Sequence, residues 1–275
     1  MVGMRWLAIC VVLLAACSSG DAPGNAASSP PPKWTTGEWQ RGCRYDLTAL
    51  PELSGLTASK RHPGVLWALN DSGNAPVLVA LDAKTCAVRG SATVNVVASD
   101  WEGLASGTRK GKPVLFIGDT GNNLRERTQV AVVEVPEPAL GTTTVAATTH
   151  PFSFPDGPVD AEGIMAKGSK VWVVTKQLAA SVYRVNLKRG TAQEVGTAPS
   201  FATDAAMSPA ADIYAVRDYP SIQMFTGLPP GKRLGRSTPP QQPQAEAVAF
   251  SADGQWLYTA SEQDARLLKA PVVLK

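Results

Sequence analysis

The chain alternates short apolar runs with turn-forming residues and shows little of the three-to-four spacing that builds an amphipathic helix. Val65-Leu66-Trp67-Ala68-Leu69, Pro113-Val114-Leu115-Phe116-Ile117 and Val171-Trp172-Val173-Val174 are such runs. Asp212-Ile213-Tyr214-Ala215-Val216 and Trp256-Leu257-Tyr258-Thr259 continue the series. All are rich in β-branched or aromatic side chains and bounded by Gly, Pro, Asp or Asn, the pattern of strands buried on both faces.

A second pattern accompanies these runs. The tags Glu52-Leu53-Ser54-Gly55-Leu56, Trp101-Glu102-Gly103-Leu104-Ala105 and Ala161-Glu162-Gly163-Ile164-Met165 each lead through a turn into an apolar strand, then through another turn into a second. A weaker copy is Asp204-Ala205-Ala206-Met207, which has Ala206 where the tag expects Glu, and Ala245-Glu246-Ala247-Val248-Ala249-Phe250 is the last. The tags return every 40 to 60 residues or so, the length of a four-stranded propeller blade. A β-sandwich of unrelated hairpins would share the strand spacing but gives no reason for the tag. The prediction is an all-β chain folded as a five-bladed β-propeller. The 60-residue interval from Glu102 to Glu162 leaves room for a sixth blade. The last unit has room for only three strands, so the segment around residues 41–50 is expected to close the ring with an N-terminal strand.

The first residues follow a different rule. Arg5 precedes an apolar run over residues 6–16, too short to span a bilayer and suited to the core of a signal peptide. The run ends in Leu14-Ala15-Ala16-Cys17, which resembles the lipobox of bacterial lipoproteins. The resemblance implies that residues 1–16 are cleaved and that Cys17, carrying diacylglyceryl and palmitate chains, becomes the mature N-terminus. Residues 17–40 are dominated by small residues and proline and read as a disordered tether, leaving 41–275 as the propeller. The expected location is outside the cytoplasm, with the membrane as partner through the anchor.

Four cysteines sharpen the picture. With Cys10 in the signal peptide and Cys17 lipidated, Cys43 and Cys86 form an even pair in an exported chain and predict a disulfide that bolts the closing segment to the first unit. A net charge of +3 with no block of Lys or Arg argues against a nucleic-acid partner. A monomer is expected.

Candidate chemistry follows from propeller geometry. Inner strands begin, and second strands end, at one mouth of the central channel. The tag starts bring Glu52, Asp100, Glu102, Asp160, Glu162, Asp204 and Glu246 there. The second-strand ends bring Asn70, Asp71, Asp119, Lys176, Arg217 and Glu262. So many carboxylates repel unless something neutralises them. A Ca²⁺ ion held by several oxygens is one solution. Pairing with Lys176 and Arg217 is a second, and bonds from Glu to backbone N–H groups between blades are a third. The stretches Asn70-Asp71-Ser72-Gly73-Asn74 and Gly118-Asp119-Thr120-Gly121-Asn122-Asn123 read as turns or as further cation ligands, with Arg125 or Arg127 placed to hold an anion. No nucleophile elbow, P-loop or zinc motif occurs, and no catalytic residue is assigned.

The runs ELSGL, LWALNDSG, DWEGLA, FIGDTGNN, DAEGIM and VVTK resemble a group of exported bacterial β-propellers, and more distantly phytase-like, esterase-like and NHL-type propellers. In that group a cysteine before ELSG and another after the third strand recur, matching Cys43 and Cys86. The D-x-E-G tag is similar to that of β-propeller phytase, which implies Asp100, Glu102, Asp160 and Glu162 as Ca²⁺ ligands, with Glu246 a fifth candidate at the same rank. Two functions are carried forward. The first is a membrane-anchored module that binds an envelope protein, a glycan or a small ligand. The second is a Ca²⁺-dependent hydrolase of phosphate or carboxylic esters at the acidic mouth.

Overall fold

The computed structural model describes residues 33–274; the signal-peptide and lipidation calls, Cys17 included, lie outside the described residues. The chain starts with β1 (Trp34–Thr36) and β2 (Gln40–Arg44). Blade one is built from β3 (Leu53–Ala58), β4 (Val65–Asn70), β5 (Val77–Asp82) and β6 (Val88–Asn95). Blade two follows with β7 (Trp101–Arg109), β8 (Lys112–Asp119), β9 (Val130–Pro136) and, after β10 (Thr144–Ala146), β11 (Thr148–Phe152). Blade three is β12 (Ala161–Lys167), β13 (Lys170–Thr175), β14 (Ser181–Asn186) and β15 (Thr191–Thr197). Blade four is β16 (Ala202–Met207), β17 (Ile213–Asp218), β18 (Ile222–Thr226) and β19 (Arg233–Ser237). The chain ends with β20 (Ala247–Phe250), β21 (Trp256–Ser261) and β22 (Asp264–Leu274).

These strands form five antiparallel blades. Each tag is itself the innermost strand of its blade, and the apolar run after it is the second strand. Because a blade has neighbours on both faces, β3 and β4 are buried along their whole length, which explains runs without polar alternation. Five hydrophobic clusters fill the five blade-to-blade interfaces. Leu56, Val79, Ala249 and Leu267 join blades five and one, while Trp67, Leu78, Leu104 and Leu115 join one and two. Phe116, Phe152, Ile164 and Tyr183 join two and three, Met165, Trp172 and Tyr214 join three and four, and Ile213, Met224, Val248 and Phe250 join four and five. A cluster between the last and first blades means that the ring is closed.

Closure uses the N-terminal segment, as expected. β2 pairs antiparallel with β22, and β1 extends the same ladder. The expected boundary at residue 41 falls too late: Trp34–Thr36 already form a strand, because Trp34 and Trp39 pack into the cluster between blades four and five. Cys43 and Cys86 form the disulfide, with Cα atoms 5.6 Å apart, and link the outer strand of blade five to the β5–β6 turn of blade one. Among the described residues, the strands and core clusters run from Trp34 to Leu274 and form a closed ring.

The long interval before Glu162 holds no sixth blade. It is taken up by β10, which pairs in parallel with β6 and adds an outer strand to blade one, before β11 returns to complete blade two.

Candidate functional site: an acidic channel mouth

The inner strands approach so closely that the tag glycine leaves no room for a side chain. A Cβ on Gly103 would sit 2.6 Å from the Glu162 carbonyl oxygen in the next blade. The strand pairings give the register: Ala205 and Ala247, opposite Val216 and Ala260, take the rank that Gly163 holds opposite Val174. The residue before this rank faces the mouth, and in successive blades it is Ser54, Glu102, Glu162, Asp204 and Glu246. Unit four therefore keeps a carboxylate at this rank, two residues earlier than Ala206, and the apparent loss of the tag's acid there is corrected. All five are buried.

In blades one to three the carboxylates converge. Oxygens of Asp71, Asp100 and Glu102 lie within 4.8 Å of one another, and so do those of Glu102, Asp160 and Glu162. Glu102 belongs to both groups. Burial, and then the Glu162, Asp71, Asp100 and Asp160 charges, push its pKa well above the ordinary range. Burial likewise raises Asp100 and Asp160. Gly121 makes room for this group: a Cβ there would fall 2.2 Å from Glu102 Oε1 and 2.4 Å from Asp100 Oδ2. The structure thus contains a cradle of hard oxygen donors, low in positive charge and kept open by a glycine.

The neighbouring residues hold the cradle in shape. Asp119 accepts hydrogen bonds from the Ser99 and Asp100 N–H groups and from Arg127 Nη2 at 2.7 Å. Arg127 also donates to the Gly121 and Asp119 carbonyls. Asp119 therefore braces the cradle, and Arg127 is committed to it. Asn70 bonds the Glu52 N–H and the Ala49 carbonyl and is likewise structural. Asp160 accepts the Asn122 N–H at 2.8 Å, which ties blade three to the loop of blade two and leaves its second oxygen free.

Blades four and five treat the same rank differently. Asp204 is fully buried, and its two oxygens accept the N–H groups of Ala205 and, across the interface, Val248 at 2.7 and 2.8 Å. Lys176 Nζ lies 2.8 Å from Glu162 Oε1 and 4.0 Å from Glu246 Oε1, above the Tyr219 ring. Burial works against its charge, but Glu162 and Glu246 raise its pKa on balance. The expected pairing of Arg217 does not form: at 1 % exposure it has no ion-pair partner among the described residues, and its Nε and Nη1 have no hydrogen-bond partner. Burial pulls its pKa down to about 10. Glu246 Oε2 is also buried and unpartnered. Glu262 stands at the rim, half-buried, and accepts a hydrogen bond from Gln244 Nε2 at 2.6 Å. Of the three means of neutralisation, backbone bonding serves Asp204 and Asp160, and Lys176 serves Glu162 and Glu246. In the Asp71–Asp100–Glu102 corner the Ser72 N–H bonds Asp71, Arg127 acts on Asp100 from a distance, and Glu102 has no ion pair among the described residues.

The roles of Gly121, Arg127 and Tyr219 escaped the sequence reading. A Gly between Asp119 and the Asn122-Asn123 pair was the one available signal for the cradle.

Exposed apolar side chains surround the mouth. Val97, Leu124 and Leu178 are 88, 80 and 74 % exposed, and Phe201 and Tyr219 are also exposed. All lie in connections that enter inner strands or leave second strands, on the same face as the carboxylates.

Comparison with known proteins agrees with this architecture. Among solved structures, a luciferin-regenerating enzyme matches at 10 % identity over 86 % of this chain and 96 % of that chain, with a TM-score of 0.51. U3-55K matches at 12 % identity over 80 % of this chain and 67 % of that chain, TM-score 0.44. Raptor of Chaetomium thermophilum matches at 12 % identity over 86 % of this chain and 30 % of that chain, TM-score 0.48. At such identities the likeness is one of fold. Curated protein sequences give no match. The family model described as phytase-like, esterase-like activity of phytase, matches residues 48–270, and the chain belongs to the phytase-like family.

Proposed function

We propose that the chain is a membrane-anchored lipoprotein outside the cytoplasm whose acidic mouth binds Ca²⁺ and hydrolyses phosphate or carboxylic esters. The observation that carries this reading is the pair of carboxylate groups sharing Glu102, a buried acid that makes no ion pair among the described residues. Asp71, Asp100, Glu102, Asp160 and Glu162 supply the oxygen donors that a hard cation takes. Bound there, Ca²⁺ would supply a Lewis acid and a more acidic water. The chain's own residues do the rest. Asp119 and Arg127 fix Asp100, and Asn122 fixes Asp160. Lys176 and the unpartnered guanidinium of Arg217 face the same mouth, where they would bind the anionic group of an ester and stabilise charge that grows on its oxygens. The apolar rim favours an ester with a hydrophobic part.

The test is a calcium titration followed by melting temperature and by hydrolysis of p-nitrophenyl phosphate and p-nitrophenyl acetate. Calcium is expected to raise the melting temperature and to switch on one of the two reactions, and Glu102→Gln to abolish both effects. A melting temperature indifferent to calcium, or hydrolysis indifferent to Glu102→Gln, sinks the reading.

The rim also favours a second reading, in which the mouth is a docking surface for an envelope protein, a glycan or a small ligand. Exposed apolar side chains grouped on one face mark such surfaces. Hydrolysis without capture of any partner by the wild type, or equal capture by a Val97→Ser, Leu124→Ser, Leu178→Ser variant, would count against it.

A further inference from the structure

Charge in this propeller is segregated by face. Acids gather where inner strands begin. The turns at the opposite end, between first and second strands and between third and fourth, carry lysines and arginines in excess of their acids, Asp82, Glu137, Asp212 and Asp253. In blades two and three these are Lys110, Lys112, Lys167, Lys170, Lys188 and Arg189, all exposed and none within ion-pair distance of a carboxylate among the described residues. Between the two blades lies a cleft of about 490 Å³. Arg109, Lys170, Arg184, Lys188 and Arg189 line it, and no acid does. Arg109 is paired with Glu134, and the other four, without an ion-pair partner among the described residues, hold a positive potential that an external anion relieves.

A separate observation places the start of β1 on this side. β22 runs from the mouth toward the opposite face, and its far end passes the β20–β21 turn, where the Val272 N–H bonds the Gln255 carbonyl. Trp34 pairs with Leu274 beyond that point. The chain that follows Cys17 therefore joins the propeller on the face that carries the cations.

We propose that this basic face is a docking surface for the anionic phospholipid headgroups of the membrane to which the protein is anchored, so that the acidic, apolar-rimmed mouth points away from the lipid. Each Lys or Arg near an anionic leaflet strengthens partitioning by roughly fivefold, within a screening length of about 8–10 Å. The acidic mouth would be repelled by the same leaflet, so charge alone chooses the orientation. The inference rests on the lipoprotein reading for its setting, but the surface is testable without the anchor.

Residues 33–275, free of acyl chains, are floated with vesicles of phosphatidylcholine alone or with roughly 30 % phosphatidylglycerol added, the anion that supplies the leaflet charge. Binding is expected only to the anionic vesicles and is expected to vanish as salt rises from about 0.1 to about 0.5 M. Combined Lys170→Glu, Lys188→Glu and Arg189→Glu should lower partitioning tenfold or more, by order of magnitude. Arg236→Glu, on the outer strand of blade four, should change it by about twofold or less. Far-ultraviolet spectra and melts confirm that the variants fold. Equal partitioning onto both vesicles, or binding that survives salt, would assign the contact to the apolar rim and overturn the proposal, as would a triple variant that binds like wild type. Palmitate labelling of Cys17 in the producing cell reads the anchor separately. Unlabelled Cys17 with intact vesicle binding removes the anchor and leaves the surface, and labelled Cys17 with no vesicle binding does the reverse.

Discussion

Two halves of one channel mouth use the same repeat position for opposite ends. In blade four, Asp204 spends both oxygens on backbone N–H groups, one across the interface with blade five, and so works as a peg between blades. In blades two and three, Glu102 and Glu162 keep their carboxylates in the channel, where Glu102 meets other acids and Glu162 meets Lys176. Recurrence in a repeat thus marks a place in the architecture, and the partners around each copy decide its role. A buried carboxylate satisfied by N–H donors stabilises the ring. One satisfied by nothing the chain provides costs stability until a cation arrives.

This contrast can be broken experimentally. Asp204→Ala should be the most damaging change, since it leaves two buried N–H groups unpaired: about 3 kcal/mol of stability lost in denaturant unfolding, with Asp204→Asn milder because one acceptor remains. Gly121→Ala should displace the Glu102 and Asp100 carboxylates and weaken calcium binding by roughly two orders of magnitude in calorimetry, as a supporting shell that shifts ligands does. Glu102→Gln should do the reverse of Asp204→Ala in the absence of metal. Relief of acid–acid repulsion should raise stability by about 1 kcal/mol, while the calcium-induced rise in melting temperature disappears. If Glu102→Gln and Asp204→Ala destabilise alike, the two halves are both architectural and the contrast is void.

The smallest effect is one of pH. Burial, and then Glu246 and Asp71, push the Glu262 pKa up to about 7 from its ordinary 4.5. A carboxyl whose folded pKa is raised contributes stability that is complete below its unfolded pKa and is lost as pH rises through the folded one. In chelator, melting temperature should therefore drift downward between about pH 4.5 and 7, and saturating calcium should flatten the drift. A melting temperature that rises across this window would contradict it.

Much of this was legible in the chain. The tags and the apolar runs give the inner and second strands because a blade buried on both faces needs no polar alternation, so each strand announces itself by composition alone. The closing strand and the Cys43–Cys86 pair follow from counting strands and cysteines. The failures are equally physical. Unit four was read two residues out of register because Ala205 and Ala206 replace the glycine that marks the close approach elsewhere. β10 escaped notice because a three-residue strand paired in parallel across to another blade leaves no local signature. The expected ion pair of Arg217 does not form among the described residues. Which of several nearby polar groups a side chain reaches is set by strand twist and loop path, not by order along the chain.

The way the ring is fastened also bears on how the molecule is made. β1 and β2, the first strands of the described residues, pair with β22, the last of them. This segment must wait for β22 to emerge before the toroid can shut, which predicts slow late-stage assembly dominated by contacts distant in sequence. If the chain is exported, as proposed above, this delay is useful: a protein that cannot finish folding until its tail is available stays threadable through a translocation pore until that tail has followed it.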